Sequence, residues 1–533
     1  MRGGRLWLLG SFCSPKISRS VDRLAGRTAR PTFCQILIVL GALVALAGTA
    51  VGIEQAPVSK AKSTKKVVAK KAPPPVAKPV AKPVAKVAAP VKAIAKPIAK
   101  TVTAVKTTVA KAVPKKWVPR PPAITAKART EGHDFVFQNV ASGADIPVEH
   151  AAALIPFFEQ LYRHQKGEMA GPIRILHYGD SHTAADEWTG AMRAHFQEKF
   201  GDGGPGFSYA GRPWVGYRRL DVRSSSTRAW HSDGLVGRPG DGIYGLGGVS
   251  MSARTPREAV YLDAEAATFE LFYYQQPGGG SLQVYDNGTP LERISTAGDP
   301  GPAYYHFEGV PGPHRLEVET VDPAPVRLFG WVAEKNQGVT YETLGINGAQ
   351  ASIALDWDET TLKSNVERRD PALIVLAYGT NEAGRSDITL ESYRDMFIQL
   401  IGRFRKASPT ATILVIGPPD RDVRTRLGWR AMDSLDTIVE AQRQAAIAQG
   451  CPFWDLRAKM GGKGAMQQWV NAGMAQYDHV HFTGPGYRML GDAVFRDLIG
   501  QYDVYLKARA DVLAQGDAPE PAPESAHVET AQQ

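Results

Sequence analysis

Five short apolar runs constrain the fold of this 533-residue chain more than any other feature. Amphipathic stretches, such as 389–407 and 430–449, separate the later runs. Strands that alternate with helices form a parallel sheet covered by helices on both faces, so we predict an α/β fold with five parallel strands. The five runs are PIRILHYGD (172–180), GVTYETLGI (338–346), ALIVLAYG (372–379), ATILVIG (411–417) and CPFWDL (451–456).

A different pattern fills the long gap between the first two runs. Apolar and polar residues alternate there with a period of two, and Gly-rich turns divide the segments. The tripeptide Asp286-Asn287-Gly288 is typical of a hairpin turn. We therefore predict an inserted all-β sandwich. Its expected bounds are 215–335, within an α/β domain of residues 131–508 that consists of 131–214 and 336–508.

The charge of the chain is divided near residue 130. Residues 1–130 contain 26 Lys and Arg and two acidic residues, a net charge of +24, so the rest carries −14 of the overall +10. The sequence therefore predicts a basic N-terminal region joined to an acidic globular body.

An uncharged apolar run at 35–53 follows a stretch rich in arginine. At about 19 residues the run is long enough to span a bilayer as a helix, and the arginines would stay on the cytoplasmic side. Gly48-Thr49-Ala50 offers small residues for cleavage. We interpret residues 1–53 as a leader that sends the rest of the chain into the periplasm or cell envelope. The leader is either a cleaved signal peptide or an inner-membrane anchor.

Residues 54–130 are nearly all Lys, Ala, Pro and Val. Recurring prolines and mutually repelling lysines prevent a packed core and favour extended conformations, so we predict a disordered basic linker that acts as a tether. Lysine-rich tracts also occur in nucleic-acid-binding proteins. Trp117 is the only aromatic residue here, and the segment follows an export signal, so we expect no nucleic-acid partner. The Pro/Glu/Ala-rich segment 509–533 predicts a disordered tail.

Cysteine usage excludes a disulfide within the body. Only Cys451 of the three cysteines lies there, and we expect it to be a buried apolar residue. No Cys/His spacing typical of a metal site is present, and we expect no cofactor.

Three short polar motifs follow predicted strands or precede the last helix, where ligands bind in sheets of this kind. In Gly-Asp-Ser-His, a tight strand-to-helix turn would present the hydroxyl of Ser181. In Gly-Thr-Asn-Glu, Asn381 could donate an N–H to an oxyanion. In Asp-His-Val-His, Asp478 could orient His481, whose other nitrogen would take a proton from the serine.

Each motif also has a simpler structural interpretation. Ser181 and Asn381 stand where residues cap helix N-termini. Asp478 could cap a helix beside a surface His481. The order of the three motifs along one chain favours a catalytic role over helix capping.

That order, with a Gly between the first two motifs, resembles the SGNH/GDSL hydrolase family over about residues 170–500. The resemblance implies a three-layer α/β/α domain around a five-stranded parallel sheet. It also implies that Ser181, Asp478 and His481 form a catalytic triad.

The resemblance further implies an oxyanion hole formed by Ser181, Gly348 and Asn381. Gly348 lies in LGINGAQ, where the family supplies a backbone N–H. Two residues depart from the family pattern: His182 stands where Leu is frequent, and Glu382 stands where Asp is frequent. Neither departure touches the triad.

Within the family, HYGDSHTAADEWTG, GINGAQ and an internal β module are most similar to bacterial peptidoglycan O-acetylesterases, which have a carbohydrate-binding-like insertion. This implies an exported serine esterase that removes O-acetyl groups from a cell-envelope polysaccharide, with peptidoglycan as the expected polymer. Tyr273, Tyr274 and Trp331 are candidates for stacking against sugar rings, although packing between sheets is the simpler explanation for each.

Three other functions stay open. An O-acyltransferase would use the same triad to move acetyl onto a glycan. A non-catalytic, tethered glycan-binding protein would need a blocked site. A dinuclear metallophosphoesterase would leave Ser181 idle, and the chain has no Asp-x-His pair at the required place.

Overall fold

A computed structural model describes residues 123–140 and 147–516. Strands and helices are numbered here in chain order within those ranges. The strands are β1 (Ile173–Gly179), β2 (Gly206–Tyr209), β3 (Arg223–Ser226), β4 (His231–Asp233), β5 (Ser250–Ala253), β6 (Ala259–Gln275), β7 (Ser281–Asp286), β8 (Thr289–Ser295), β9 (Gly301–Thr320), β10 (Val326–Glu334), β11 (Val339–Gly345), β12 (Leu373–Ala377), β13 (Thr412–Ile416), β14 (Asp422–Thr425), β15 (Gly428–Ala431) and β16 (Phe453–Trp454).

The α-helices are α1 (Ala126–Val140), α2 (Ile155–Gln165), α3 (Ser181–Ala184), α4 (Trp188–Phe200), α5 (Glu359–Arg369), α6 (Leu390–Ala407), α7 (Ser434–Ala448), α8 (Leu456–Lys459), α9 (Ala465–Asn471) and α10 (Gly484–Gly516). Short 3₁₀ helices lie at Ala151–Leu154, Ala351–Leu355 and Glu382–Gly384.

The central sheet has five parallel strands in the order β11-β1-β12-β13-β16. Each strand falls within one of the five predicted apolar runs. All of their residues are buried except Arg174, which is partly exposed. Strands covered on both faces need continuous apolar runs, which explains why this sheet is visible in the sequence.

Alternate residues of β1 pack into two different cores. Leu176 and Tyr178 belong to a cluster with α5, α6 and α7, whereas Ile173 and Ile175 belong to a cluster with α2, α4 and α10. Successive side chains of a strand point to opposite faces, so the two clusters lie on the two faces of the sheet. The predicted three-layer α/β/α fold is confirmed.

Strands β2 to β10 form one connected antiparallel sheet between β1 and β11 in the chain. In its centre β6 pairs with β9, and the register shifts between Ala266 and Thr268, where β6 changes partner from β3 to β10. A bulge of this kind bends a strand. The predicted inserted β module is confirmed, and its first strand starts at Gly206, before the expected boundary at residue 215.

The Asp-Asn-Gly turn connects β7 and β8 as predicted. Asn287 and Gly288 have φ angles of 50° and 77°, the left-handed pair that a type I′ hairpin turn requires. The three aromatic candidates for sugar stacking are buried instead: Tyr273, Tyr274 and Trp331 expose 6%, 8% and 0% of their surface. Their rings therefore pack in the interior of the protein.

Buried ion pairs join the insert to the central sheet. Arg369, at the end of α5, donates to Glu334 of β10 at 2.7 Å and also binds Glu342 of β11. Arg174 of β1 binds Glu334 at 2.8 Å. Burial would raise the pKa of Glu334, but the two guanidinium groups outweigh it and lower the pKa to about 2. The paired charges hold the last strand of the insert against the sheet.

Two boundaries differ from the expected ones. Helix α1 begins at Ala126, inside the predicted linker 54–130, because no proline lies between Pro122 and Pro147 and the helix buries Val136 and Val140. Helix α10 continues to Gly516, beyond the expected start of the tail at 509, because the next proline is Pro519. Cys451 is free and buried, as expected.

The apolar run 35–53 and nearly all of the basic linker lie outside the described residues. Within the described ranges, none of the helices combines the length and the apolar character needed to cross a bilayer.

Candidate active site

Strand β1 delivers Ser181 to the carboxyl edge of the central sheet. Asp180 caps the four-residue helix that follows by accepting the N–H of His182 at 2.9 Å, and Ser181 is the first residue of that helix. A Cβ atom at Gly179 would collide with the side chain of Thr183. The sharp turn that presents Ser181 therefore requires glycine before it.

The loop before α10 delivers Asp478 and His481 to the same edge. Oγ of Ser181 lies 2.9 Å from Nε2 of His481, and Nδ1 of His481 lies 2.8 Å from Oδ2 of Asp478. The other carboxylate oxygen accepts the N–H groups of Val480 and His481, each at 3.0 Å. The structure thus brings the three predicted side chains together in one hydrogen-bonded chain.

The Asp478 carboxyl is held in its charged form. Partial burial would raise the pKa of Asp478, but hydrogen bonds from the imidazole and backbone of His481 outweigh it and lower the pKa to about 2. A carboxylate that accepts a hydrogen bond from Nδ1 leaves Nε2 free to act as a base toward Ser181.

Gly348 and Asn381 follow the two strands that flank β1. The N–H of Ile346 donates to the carbonyl oxygen of Gly179 at 3.0 Å, which draws the loop after β11 against the turn after β1. Nδ2 of Asn381 donates to the carbonyl oxygen of Ala349 at 2.9 Å. This bond orients the amide and leaves its second N–H for a ligand. Gly348 has a φ of 77°, a conformation that favours glycine.

A model of the GDSL-like lipase/acylhydrolase family matches residues 308–489. The match includes four of the five predicted site residues and leaves out only Ser181, which the inserted strands separate from the rest.

A solved peptidoglycan O-acetylesterase is similar to this chain, with 28% identity over 66% of this chain and 96% of that chain and a TM-score of 0.57. Both matches support an SGNH/GDSL-type hydrolase. The chain is an ester hydrolase of that type, and within the family it is similar to peptidoglycan O-acetylesterases.

Two carbohydrate esterases of family two also match. The one from Clostridium thermocellum is 12% identical over 47% of this chain and 95% of that chain, with a TM-score of 0.25. The one from Cellvibrio japonicus is 11% identical over 53% and 98%, with a TM-score of 0.24. Scores this low support no further argument. No curated protein sequence matches the chain.

His182, beside Ser181 in the hydrolase, is a neutral packing residue. Its side chain is buried, and Nδ1 lies 2.9 Å from the hydroxyl of Tyr487. Burial lowers the pKa of His182 to about 3, so it adds no positive charge near His481, whose ring centroid is 5.3 Å away. This departure from the family's frequent leucine therefore leaves the triad electrostatics intact.

Glu382 holds the loop that carries Gly348. Its Oε1 accepts the N–H of Ala351 at 2.6 Å and the hydroxyl of Tyr393 at 3.1 Å. Burial raises the pKa of Glu382 to about 7. Glu382 and its neighbour Asn381 thus bind two alternate residues of the same loop.

His479, which the sequence analysis did not identify, stands between Asp478 and His481 in the chain. Its backbone is left-handed, with a φ of 55°, and its side chain is buried. Nδ1 lies 2.7 Å from Oδ2 of Asp422, and Trp429 stacks on the imidazole at 4.0 Å between ring centroids. The β14–β15 hairpin therefore fixes the position of the loop that carries Asp478 and His481. The first His of Asp-His-Val-His was the available sequence signal.

A cleft of about 320 Å³ opens in front of Ser181 and His481. Part of its wall comes from the insert, where Trp214 and Arg218 lie between β2 and β3. Glu187, at the start of α4, lines the same cleft. The insert thus contributes to the site directly, which the sequence did not predict.

No group of three or more His, Cys, Asp or Glu side chains is arranged to hold a metal ion within the described part of the chain. The groups at the cleft that can act as nucleophile and base are the hydroxyl of Ser181 and the imidazole of His481.

Proposed function

We propose that this hydrolase is an exported serine esterase that removes O-acetyl groups from a cell-envelope polysaccharide, with peptidoglycan as its substrate. The observation that carries the proposal is the chain of hydrogen bonds from Ser181 through His481 to Asp478, at 2.9 and 2.8 Å. The similarity to a solved peptidoglycan O-acetylesterase supports acetyl as the acyl group. The apolar run and basic tether within residues 1–130 support export.

In the first half of the reaction, His481 takes the proton of the Ser181 hydroxyl as its oxygen attacks the acetyl carbonyl carbon. Asp478 stabilises the imidazolium that forms. His481 then gives the proton to the sugar oxygen, which leaves as an alcohol, and the acetyl group stays on Ser181. In the second half, His481 deprotonates a water that attacks the acetyl carbon. The bond from this carbon to the Ser181 oxygen breaks, His481 returns the proton to that oxygen, and acetic acid is released, which ionises to acetate.

Three donors stabilise the oxyanion that develops during both steps. They are the backbone N–H groups of Ser181 and Gly348 and the free side-chain N–H of Asn381. Donors fixed before the reaction stabilise the transition state without reorganisation at the moment of transfer. The bond from Asn381 to Ala349 supports this assignment because it fixes the amide.

Covalent labelling tests the nucleophile. The full-length protein should be modified by a fluorophosphonate, and the modification should map to Ser181. Ser181→Ala should lose both labelling and hydrolysis of an aryl acetate, whereas Ser225→Ala, which changes an exposed serine of the insert, should keep both. Undiminished hydrolysis by Ser181→Ala would contradict the mechanism.

Product analysis tests the substrate and the reaction. O-acetylated peptidoglycan incubated with the enzyme should release free acetate, at a rate that an added acceptor glycan does not change. Acetyl found on the acceptor instead would identify a transferase. If the enzyme hydrolyses the aryl acetate but releases no acetate from peptidoglycan, the esterase activity is supported and peptidoglycan is excluded as its substrate.

A further inference from the structure

Two arginine side chains meet at one carboxylate beside the cleft. Nη2 of Arg218 donates to Oε1 of Glu187 at 2.8 Å, and Nη1 of Arg488 donates to Oε2 of the same carboxylate at 2.9 Å. Arg218 comes from the insert and Arg488 from α10. Their side chains are 53% and 54% exposed, so both guanidinium groups are open to solvent.

Most donors of this arginine pair stay unused. A guanidinium group carries five N–H donors. Arg218 uses one on Glu187 and Nε on the carbonyl oxygen of Ala185, at 3.3 Å, and Arg488 uses one on Glu187. The pair and Glu187 together carry a net charge of +1, in a body whose residues 131–533 carry −14. This group at the cleft is thus positively charged, although the body as a whole carries a net negative charge.

The segment that carries Arg218 is rigidly anchored. The next residue, Arg219, is buried and donates to the carbonyl oxygens of Phe207 and Pro205 at 2.6 and 2.9 Å. The N–H of Leu220 donates to the buried carboxylate of Asp186 at 2.6 Å. Arg218 is therefore held in place before a ligand arrives, which lowers the entropic cost of binding.

The size of the cleft places Arg218 within reach of the substrate, and Arg488 lies next to the cleft through its bond to Glu187, which lines it. Its volume of about 320 Å³ is far larger than an acetyl group, so a sugar ring and its substituents also enter it. Ser181 and Arg218 line the same cleft. A polymer whose acetyl ester lies at Ser181 thus extends along the wall that bears Arg218.

We propose that Arg218 and Arg488 form an anion subsite that binds a carboxylate carried by the same glycan as the acetyl ester. Guanidinium groups bind carboxylates through paired, charge-assisted hydrogen bonds. The enzyme therefore selects anionic acetylated glycans over neutral ones. This inference rests on the proposed esterase function and adds the class of polymer.

The test compares one polymer in two charge states. O-acetylated peptidoglycan is used as such and after carbodiimide coupling to methylamine, which converts its carboxylates into neutral amides. The wild-type enzyme should have a higher kcat/KM on the anionic form. In Arg218→Met and Arg488→Met this preference should fall roughly 3- to 10-fold each, the size expected for exposed charge-assisted contacts, and raised salt should weaken it in the wild type.

Arg315→Met is the matched control. Arg315 is 55% exposed, lies in the insert and pairs with Asp263 at 2.9 Å, but it does not line the cleft. Its loss removes the same charge from the protein and should leave the preference unchanged. If Arg315→Met lowers the preference for the anionic polymer as much as the Arg218 and Arg488 variants do, the effect comes from the net charge of the protein and the proposed anion subsite is wrong.

The variant Glu187→Gln tests whether the two arginines bind a substrate carboxylate or only connect the insert to α10. If the arginines bind a carboxylate, removal of the competing Glu187 charge should increase the preference for the anionic polymer. If they only fasten the insert to α10, Glu187→Gln should reduce activity on both polymers alike, which would overturn the proposal. Hydrolysis of a neutral aryl acetate is measured in parallel. If the wild-type enzyme does not hydrolyse it, the proposed esterase function is wrong. If the wild-type enzyme hydrolyses it but does not prefer the anionic polymer, only the anion subsite is wrong.

Discussion

Nδ1 of His479 lies 2.7 Å from Oδ2 of Asp422, and these residues form a second Asp–His pair next to the pair of Asp478 and His481. The N–H of Asp422 also donates to the carbonyl oxygen of His479, at 3.0 Å. Asp422 belongs to the β14–β15 hairpin and His479 to the loop of the triad. The hairpin therefore holds this loop through both backbone and side chain.

Removal of the contact between Asp422 and His479 should impair catalysis. Asp422→Ala should lower kcat on an aryl acetate roughly 10- to 100-fold with little change in KM, because a displacement of about 1 Å at a reacting group can cost about 100-fold. Asp422→Asn keeps an acceptor for His479 and should restore part of the rate. Leu427→Ala changes the fully exposed tip of the same hairpin and serves as the control. A rise in KM at unchanged kcat would contradict a positioning role.

Removal of the Asn381 amide should weaken oxyanion stabilisation. Asn381→Ala should reduce kcat on an aryl acetate by about 100- to 1000-fold, the usual effect of losing one such donor. The measurement is steady-state kinetics, with circular dichroism to verify folding. A loss below about threefold would show that the amide does not face the developing charge.

The stability of the protein should depend on the protonation of Glu382. Burial raises the pKa of this carboxyl from 4.5 to about 7. Between these values the folded state holds a proton that the unfolded chain releases. The contribution of Glu382 to the free energy of unfolding is therefore full below pH 4.5 and falls as the pH rises through about 7.

Urea unfolding of Glu382→Gln at several pH values measures this effect. The variant keeps an acceptor for Ala351 but does not titrate, so its free energy of unfolding should fall less steeply with pH than that of the wild type. Some slope should persist, because burial also raises the pKa of Asp180, to about 6. Glu292→Gln, on the exposed surface of the insert, is the control. Equal slopes in Glu382→Gln and the wild type would refute the prediction.

The turn before Ser181 should tolerate no side chain at residue 179. A Cβ there would lie 2.7 Å from the carbonyl oxygen of Ala377, so Gly179→Ala should lower the free energy of unfolding by about 1–3 kcal/mol. Gly500, in α10, would place its Cβ in open space, and Gly500→Ala should raise stability by about 0.5–1 kcal/mol. Thermal unfolding should show shifts of opposite sign, and a stabilised Gly179→Ala would contradict the steric argument.

Local sequence patterns located the elements whose surroundings are uniform. A strand such as β12 is buried on both faces, so its residues are apolar throughout and visible without a structure. The turn at Asn287 and Gly288 is visible because few residues adopt left-handed backbone angles. The expected ends of the linker and the tail were displaced by α1 and α10, since composition changes gradually where a helix begins or ends.

By itself, the sequence determined which segments form the central sheet and which residue types stand at its carboxyl edge, including Ser181 and His481. Only the tertiary structure decided that these two side chains, 300 positions apart, meet at 2.9 Å. It alone placed Arg218 at the cleft, Trp331 in the interior and Asp422 against His479. The physical reason is that a local pattern reflects the burial and backbone angles of neighbouring residues, whereas contacts between distant segments depend on how the whole chain packs.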